Sequence, residues 1–207
     1  MIHDELLVQF CTTEDDIEAQ EILLLLVNQY MQLYYNERAA FAERSGIPLE
    51  LVMDEGVQGE YALYIADLFT GMRERAEQKR LALEADREMQ EKERRLALYA
   101  FIAVAYQTID ETESSNARQL SQLQVAETAQ QQNGAVRITK TWRAHPDCCE
   151  VCSQLDGTTI PIDEHFLVNG QVVELGDGTE FIYNYIDRGV AICHPNDRCW
   201  IEFNIEY

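Results

Sequence analysis

The stretch Asp147-Cys148-Cys149-Glu150-Val151-Cys152 contains a C-x2-C pair, and a second stretch, His194-Pro195-Asn196-Asp197-Arg198-Cys199, offers further metal ligands. A tight turn between the two cysteines of the pair directs both sulfurs toward one ion, and zinc prefers four sulfur or nitrogen ligands in a tetrahedron. The two stretches therefore predict one structural zinc, held by Cys149, Cys152, His194 and Cys199. The chain between them must fold back to close the site.

Three neighbouring residues are alternative ligands, namely Cys148, Cys193 and His145. Free cysteine is often a small buried apolar residue, so metal-free buried thiols are the main competing interpretation. Disulfides are the third, since the chain has 6 cysteines. The first residues, Met1-Ile2-His3-Asp4-Glu5, are acidic where a secretory signal would be basic. We therefore expect no export and reduced cysteines.

The composition argues against two kinds of partner, nucleic acid and the membrane interior. The 207-residue chain has a formal net charge of −21. Such a field repels phosphate backbones and argues against sequence-specific nucleic-acid binding. The longest apolar runs, 22–27 and 96–106, are shorter than the roughly 20 residues that a spanning helix needs, so we expect no membrane span. The run 96–106 is expected to pack inside a helical bundle or against another chain.

The pattern of residues 1–134 predicts a domain of long helices. One helix is expected to begin at Thr13, its cap, and to end at Gly46. A second is expected to begin at Glu60 and to pass through the tract 73–95. The interleaved acids and bases of that tract are typical of a solvent-exposed helix with pairs four residues apart. Long helices joined in this way predict a bundle or an extended hairpin for this part of the chain.

Two interruptions are expected in the later helical region. A break is expected at 111–116, with Ser114 capping a last helix, and the tract 129–134 is expected to be a linker. These interruptions divide the helices from the remainder of the chain.

The pattern of residues 135–207 changes to strands and turns. Three dipeptides are typical of hairpin turns: Asp156-Gly157, Asn169-Gly170 and Asp177-Gly178. Alternating residues lead into Trp142, and further strands are expected at 181–186 and 201–205. Trp142 and Trp200 are expected to be core or metal-shielding aromatics. The sequence therefore predicts an α+β fold, with an N-terminal long-helix bundle followed by a small antiparallel β module stapled by zinc.

Between Trp142 and Trp200 several short motifs follow one another in order: the C-x2-C pair, Leu155-Asp156-Gly157, Pro161, Asp163-Glu164-His165-Phe166 and the stretch that ends at Cys199. This order resembles the C-terminal module of the tailed-bacteriophage head-morphogenesis (minor head protein) family, whose last motif is His-Pro-Asn-Cys-Arg-Cys. Asp197 stands where that family has the first cysteine of the Cys-Arg-Cys run. Asp197 is therefore a further alternative ligand, unless Cys193 substitutes for it.

The resemblance implies a minor virion component that acts in head assembly, DNA packaging or DNA delivery. It implies contacts with other virion proteins, such as the portal or the major capsid protein, within a larger assembly. It also implies assembly in the host cytoplasm and final residence in the virion.

The residues also bear on other classes of function. A zinc-ribbon-like adaptor between proteins fits the same pattern. A zinc deaminase needs a Pro-Cys-x2-Cys element, whereas here Asp147 separates Pro146 from Cys148, and His194 falls after the cysteines. A metal-dependent nuclease needs an open coordination position and a positive surface. Four protein ligands leave no open position, so we expect a structural protein and no enzyme.

Overall fold

The computed structural model describes residues 4–52, 55–132, 134, 137–184 and 197–207. The helices are α1 (Asp4–Thr12), α2 (Asp16–Arg44), a 3-10 turn (Leu49–Leu51), α3 (Glu55–Ala85), α4 (Glu91–Gln132) and α5 (Glu150–Leu155). The strands are β1 (Arg137–Arg143), β2 (Thr159–Pro161), β3 (Val172–Glu174), β4 (Glu180–Ile182) and β5 (Trp200–Glu206). Long helices precede a small antiparallel sheet, so the α+β class predicted from the sequence is confirmed.

The described residues form two compact units. The first draws on Met1–Gln32 and Glu55–Asp110, and the second on Leu33–Asp54 and Glu111–Tyr207. These units differ from the predicted domains, 1–134 and 135–207. The reason is that α2 and α4 are 29 and 42 residues long, so each supplies residues to both cores.

The first unit has an apolar and aromatic core. Its fully buried residues include Leu26, Ile65 and Ile102, which lie on α2, α3 and α4. The rings of Tyr30 and Phe69 lie 5.9 Å apart between centroids. The Tyr30 hydroxyl donates to Asp110 Oδ1 at 2.8 Å. This hydrogen bond satisfies the hydroxyl, the one polar group of the buried side chain.

The second unit contains a three-stranded sheet in the order β2-β1-β5, with both pairings antiparallel. One core cluster joins this sheet to α4 through Val125, Ala126 and Ala129, which pack with Ile138 and Ile162. A separate two-stranded hairpin pairs β3 with β4. Gly178 turns this hairpin with a φ of 82°, a conformation that glycine adopts without strain.

The predicted helix boundaries need four corrections. Helix α3 begins at Glu55 rather than Glu60, and the predicted continuous tract is interrupted after Ala85, where α4 starts at Glu91. The break predicted at 111–116 is wrong, since α4 continues through it. The predicted linker 129–134 is helical as far as Gln132. Thr112, Glu113 and Asn116 are buried on α4, whereas Gln130 and Gln131 are exposed on it, so a polar composition alone does not predict a break.

Of the three predicted hairpin turns, one joins two paired strands in the described residues. Asp177-Gly178 is a true hairpin turn between β3 and β4. Asp156-Gly157 instead joins the short helix α5 to β2. Asn169-Gly170 precedes β3, but the described residues 166–168 before it form no strand. The segment 201–205 lies within β5, as predicted. The expected strand at 181–186 is observed as β4 up to Ile182, and residues 185–186 lie outside the described residues.

In the described residues, no helix is both long enough and apolar enough to cross a bilayer.

The start of α2 yields a stability prediction. Asp15 Oδ1 accepts the backbone N–H groups of Ile17 at 2.8 Å and Glu18 at 3.2 Å, so Asp15 rather than the predicted Thr13 is the cap. Replacing Asp15 by Ala should lower the free energy of unfolding by about 1 kcal/mol, because two backbone donors lose their acceptor. Urea unfolding followed by circular dichroism measures this. Glu14→Ala is the matched control, and an equal effect of both changes would contradict the assignment.

Candidate metal centre

Three buried side chains meet in the second unit. Ligand atoms of Cys152, Asp197 and Cys199 all lie within 4.8 Å of one another. The three residues are 0%, 1% and 1% exposed. Two sulfurs and a carboxylate oxygen form a donor set that divalent transition metals accept. This group could therefore hold a metal ion.

The short helix α5 positions the C-x2-C pair. Cys149 is the residue before the first helical turn, with extended backbone angles, and Cys152 lies one turn later. The two Sγ atoms are consequently 3.4 Å apart. Cys152 faces the core, whereas Cys149 is partly exposed. A helical turn thus replaces the simple loop expected for this pair.

The segment before β5 supplies the other two members. Asp197 Oδ1 accepts the backbone N–H of Cys199 at 2.9 Å, which closes a tight turn and aims the second carboxylate oxygen at α5. The Cys152 thiol donates to that oxygen, Asp197 Oδ2, at 3.4 Å. The turn therefore places one oxygen and one sulfur beside Cys152.

Backbone and amide groups around the triad fix Cys199. The backbone N–H of His145 donates to Cys199 Sγ at 3.4 Å. The side chain of Gln119, on α4, donates to the Cys199 carbonyl at 3.0 Å. Asp156 Oδ1 accepts the backbone N–H of Ala144 at 2.9 Å and so holds the chain leading to His145. Such outer contacts orient ligands and tune their affinity.

An apolar shell surrounds the site. Cys152 and Cys199 belong to one core cluster with Trp142, Val151, Leu167, Tyr183 and Ile201. The Trp142 ring packs edge-on against Phe166, with centroids 5.3 Å apart. Trp142 is therefore a core aromatic, as expected. The same expectation for Trp200 is wrong, because its side chain is 45% exposed.

The surroundings raise the pKa of two thiols, Cys199 and Cys148. Hydrogen bonding with Cys152, followed by burial, raises the pKa of the Cys199 thiol. Burial, followed by the nearby Cys199 and Cys149 sulfurs, raises the pKa of Cys148. A metal ion binds thiolates, so it has to displace these protons when it enters.

The sequence-predicted ligands have different outcomes. Cys152 and Cys199 lie in the triad, and Asp197, one of the predicted alternatives, joins them. Cys149 contacts Cys152, and Cys148 packs against the same core cluster. The alternative His145 contacts Cys199 through its backbone N–H. Both His194 and Cys193 lie outside the described residues.

Two supporting residues were not singled out from the sequence for this role. Gln119 lies 80 positions before Cys199, and no local pattern connects them. Asp156 was noticed only as part of a turn, although its side chain braces the chain before His145.

Comparison of the chain with protein-family models, with curated proteins and with solved structures gave no match. The function of the site is accordingly inferred from its geometry and from the motifs of the sequence.

Asp197 provides a direct test of the centre. Replacing Asp197 by Asn keeps the size of the side chain and an oxygen acceptor for the Cys199 N–H, but removes the negative charge. We expect at least about a tenfold loss of metal affinity, measured by competition with a coloured chelator. Asp147→Asn is the matched control, because Asp147 is exposed and lies outside the triad. Equal affinities for wild type and Asp197→Asn would show that this carboxylate is not a ligand.

Proposed function

We propose that this chain is a structural minor head or portal-associated protein of a tailed phage, in which a zinc ion staples the second unit. The observation that carries the proposal is the buried group of Cys152, Asp197 and Cys199, with Cys149 beside it. The proposal combines this geometry with the motif order between Trp142 and Trp200.

The spacing of the donor atoms favours a tetrahedral ion such as zinc. With a zinc–sulfur distance of about 2.3 Å, two sulfurs of a tetrahedron lie about 3.8 Å apart, and a sulfur and an oxygen about 3.5 Å apart. The sulfurs of Cys149 and Cys152 are 3.4 Å apart, and Cys152 Sγ lies 3.4 Å from Asp197 Oδ2. Cys149 lies beside Cys152 but outside the group of three ligand atoms within 4.8 Å of one another, so its side chain has to move toward that group to complete the site.

We assign the four ligands to Cys149, Cys152, Asp197 and Cys199. The sequence predicted His194 as a ligand and Asp197 as an alternative, and a His194→Ala variant that retains its metal would support the assignment to Asp197. A bound zinc supplies a cross-link between α5 and the start of β5. In small modules such a cross-link contributes roughly 10–16 kcal/mol of apparent binding free energy, much of which is folding free energy.

Burial favours a structural over a catalytic ion. A catalytic zinc keeps a coordination position open to water and substrate, whereas all three members of the triad are almost fully buried. The proposed set of four protein ligands leaves no such position. This supports a role in assembly rather than in deaminase or nuclease chemistry.

The virion assignment rests on the resemblance of the motifs from Trp142 to Trp200. The charge of −21 is compatible with a component that contacts other virion proteins rather than reading DNA. A zinc-ribbon-like adaptor is the second candidate, because the same stapled module suits a one-to-one complex with a soluble partner.

Removal of the metal tests the staple. In a Trp200→Phe background Trp142 is the one remaining tryptophan, since the chain has 2. Adding EDTA should shift its fluorescence to the red as the apolar shell loosens, while most of the helical circular dichroism signal persists. Returning zinc should reverse the shift. An unchanged spectrum in protein shown by mass spectrometry to be metal-free would refute the staple.

Particle composition tests the biological assignment. Purified phage particles should contain this chain in a few copies, measured by quantitative mass spectrometry. Cys152→Ser should reduce its incorporation, whereas Cys11→Ser, a change of a buried cysteine in the first unit, should not reduce it through the metal site. Recovery of the wild-type chain only in a one-to-one complex outside the particles would favour the adaptor.

A further inference from the structure

A groove of about 730 Å³ lies in the second unit, alongside β5. One wall is formed by β5 residues, including Ile201 and Phe203. The helical side contributes Phe41, Arg118 and Gln119. The volume is within the range of about 300–1,000 Å³ that is typical of ligand-binding clefts.

The hydrogen-bond register shows which backbone groups of β5 face this groove. In β1, Trp142 donates to and accepts from the segment leading into β2, and the Ile138 carbonyl accepts from Ile162. The backbone N–H and C=O groups of successive residues point to opposite sides of a strand. Those of the even-numbered β1 residues therefore point to β2, and those of the odd-numbered residues point to β5.

The same alternation applies to β5. The partners of the odd-numbered β1 residues are Trp200, Glu202, Asn204 and Glu206. The backbone groups of Ile201, Phe203 and Ile205 must therefore point away from β1. The Cys199 carbonyl, which has the same parity, is capped by Gln119. In the described part of the chain β5 pairs with β1 alone, so this edge of the sheet is free.

We propose that this edge accepts an extended segment of a partner protein as a fourth strand, with an Asp or Glu side chain of that segment facing Arg118 and Arg198. A strand edge presents alternating donors and acceptors that an extended backbone satisfies, and the adjacent helical wall selects side chains. Phe41 and Phe203, whose ring centroids are 5.9 Å apart, supply an apolar surface for the alternate positions.

Local charge identifies the acidic residue of the occupant. Three acidic residues line this groove, Glu37, Glu111 and Glu202, and two of them are already paired, Glu37 with Arg44 and Glu202 with Arg143. Two exposed arginines, Arg118 and Arg198, also line it. Neither forms an ion pair with an acidic side chain in the described residues. A carboxylate is the complementary group, because the guanidinium fork binds it with two parallel hydrogen bonds.

A second copy of the chain is a less suitable occupant. Two copies each carry a charge of −21 and repel each other. The outward face of β5 also carries Glu202 and Glu206, and charged edge strands discourage pairing between identical edges. The proposal that a fourth strand adds to β5 does not depend on the phage assignment. Its tests use the metal-loaded chain and no phage particles, so one proposal can fail while the other holds.

Hydrogen exchange tests the free edge. In the isolated full-length protein at low concentration, the amides of Phe203 and Ile205 should exchange much faster than those of Glu202 and Asn204, which bond to β1. Nuclear magnetic resonance resolves these amides individually. Protection of Phe203 and Ile205 in the free monomer would overturn the proposal, as would protection that appears only with self-association.

Peptide binding tests the occupant. The probe is an array of hexapeptides of alternating Val and Thr, with Glu, Gln or Lys at each position in turn. At one or two positions Glu peptides should bind about tenfold more tightly than Lys peptides, and binding should protect the Phe203 amide. The double change Arg118→Glu with Arg198→Glu should reverse this order, whereas Arg137→Glu, on exposed β1 surface, should leave it unchanged. No binding, or an unreversed order, would overturn the proposal.

A proline variant separates backbone pairing from side-chain loss. Phe203→Pro removes the edge N–H and obstructs strand addition without removing a bond to β1. Phe203→Val removes the aromatic ring but keeps the N–H. Binding should be lost in the first and weakened less in the second, with zinc content equal in both. Equal binding by the two variants would exclude addition of a fourth strand.

Discussion

The hydrogen bonds that converge on Cys199 organise the second unit. Its sulfur lies in the triad with Cys152 and Asp197, its N–H binds Asp197, and its carbonyl binds Gln119. The residue that follows begins β5, the strand that pairs with β1 along seven positions. One residue therefore links the short helix, the long helix and the sheet. A small β module has little apolar core of its own, so such convergence is what allows it to hold one structure.

The described structure explains why the strands were easier to predict than the helix breaks. β1 and β5 have alternating or apolar patterns that require one buried face, and Asp177-Gly178 provides a turn with φ above zero. The failed break at 111–116 has a different cause. Glu113 and Asn116 are buried on α4, where the Asn116 amide donates to Glu113 at 2.9 Å. This hydrogen bond lies within one helix, but the burial of both residues is tertiary, and a local reading of composition does not reveal it.

The candidate site was predictable in part for a similar reason. The C-x2-C spacing is local, so it identified Cys149 and Cys152 without knowledge of the fold. Asp197 was noticed only because it departs from the pattern of the resembling family. No sequence pattern identifies Gln119, since its role depends on a hydrogen bond to Cys199, 80 positions away. Ligand spacing within one turn is thus recoverable from sequence, whereas the residues that orient the ligands require the fold.

Gln119 joins two properties that would otherwise be independent. Its amide binds the Cys199 carbonyl at 3.0 Å and Ser115 Oγ at 2.9 Å, and both Gln119 and Ser115 line the groove beside β5. A segment lying in that groove restricts the amide in the orientation that holds Cys199. If a bound metal and a bound segment both favour that orientation, thermodynamic reciprocity requires that each would strengthen the binding of the other by the same factor. Assembly with a partner would thereby make a bound ion harder to remove.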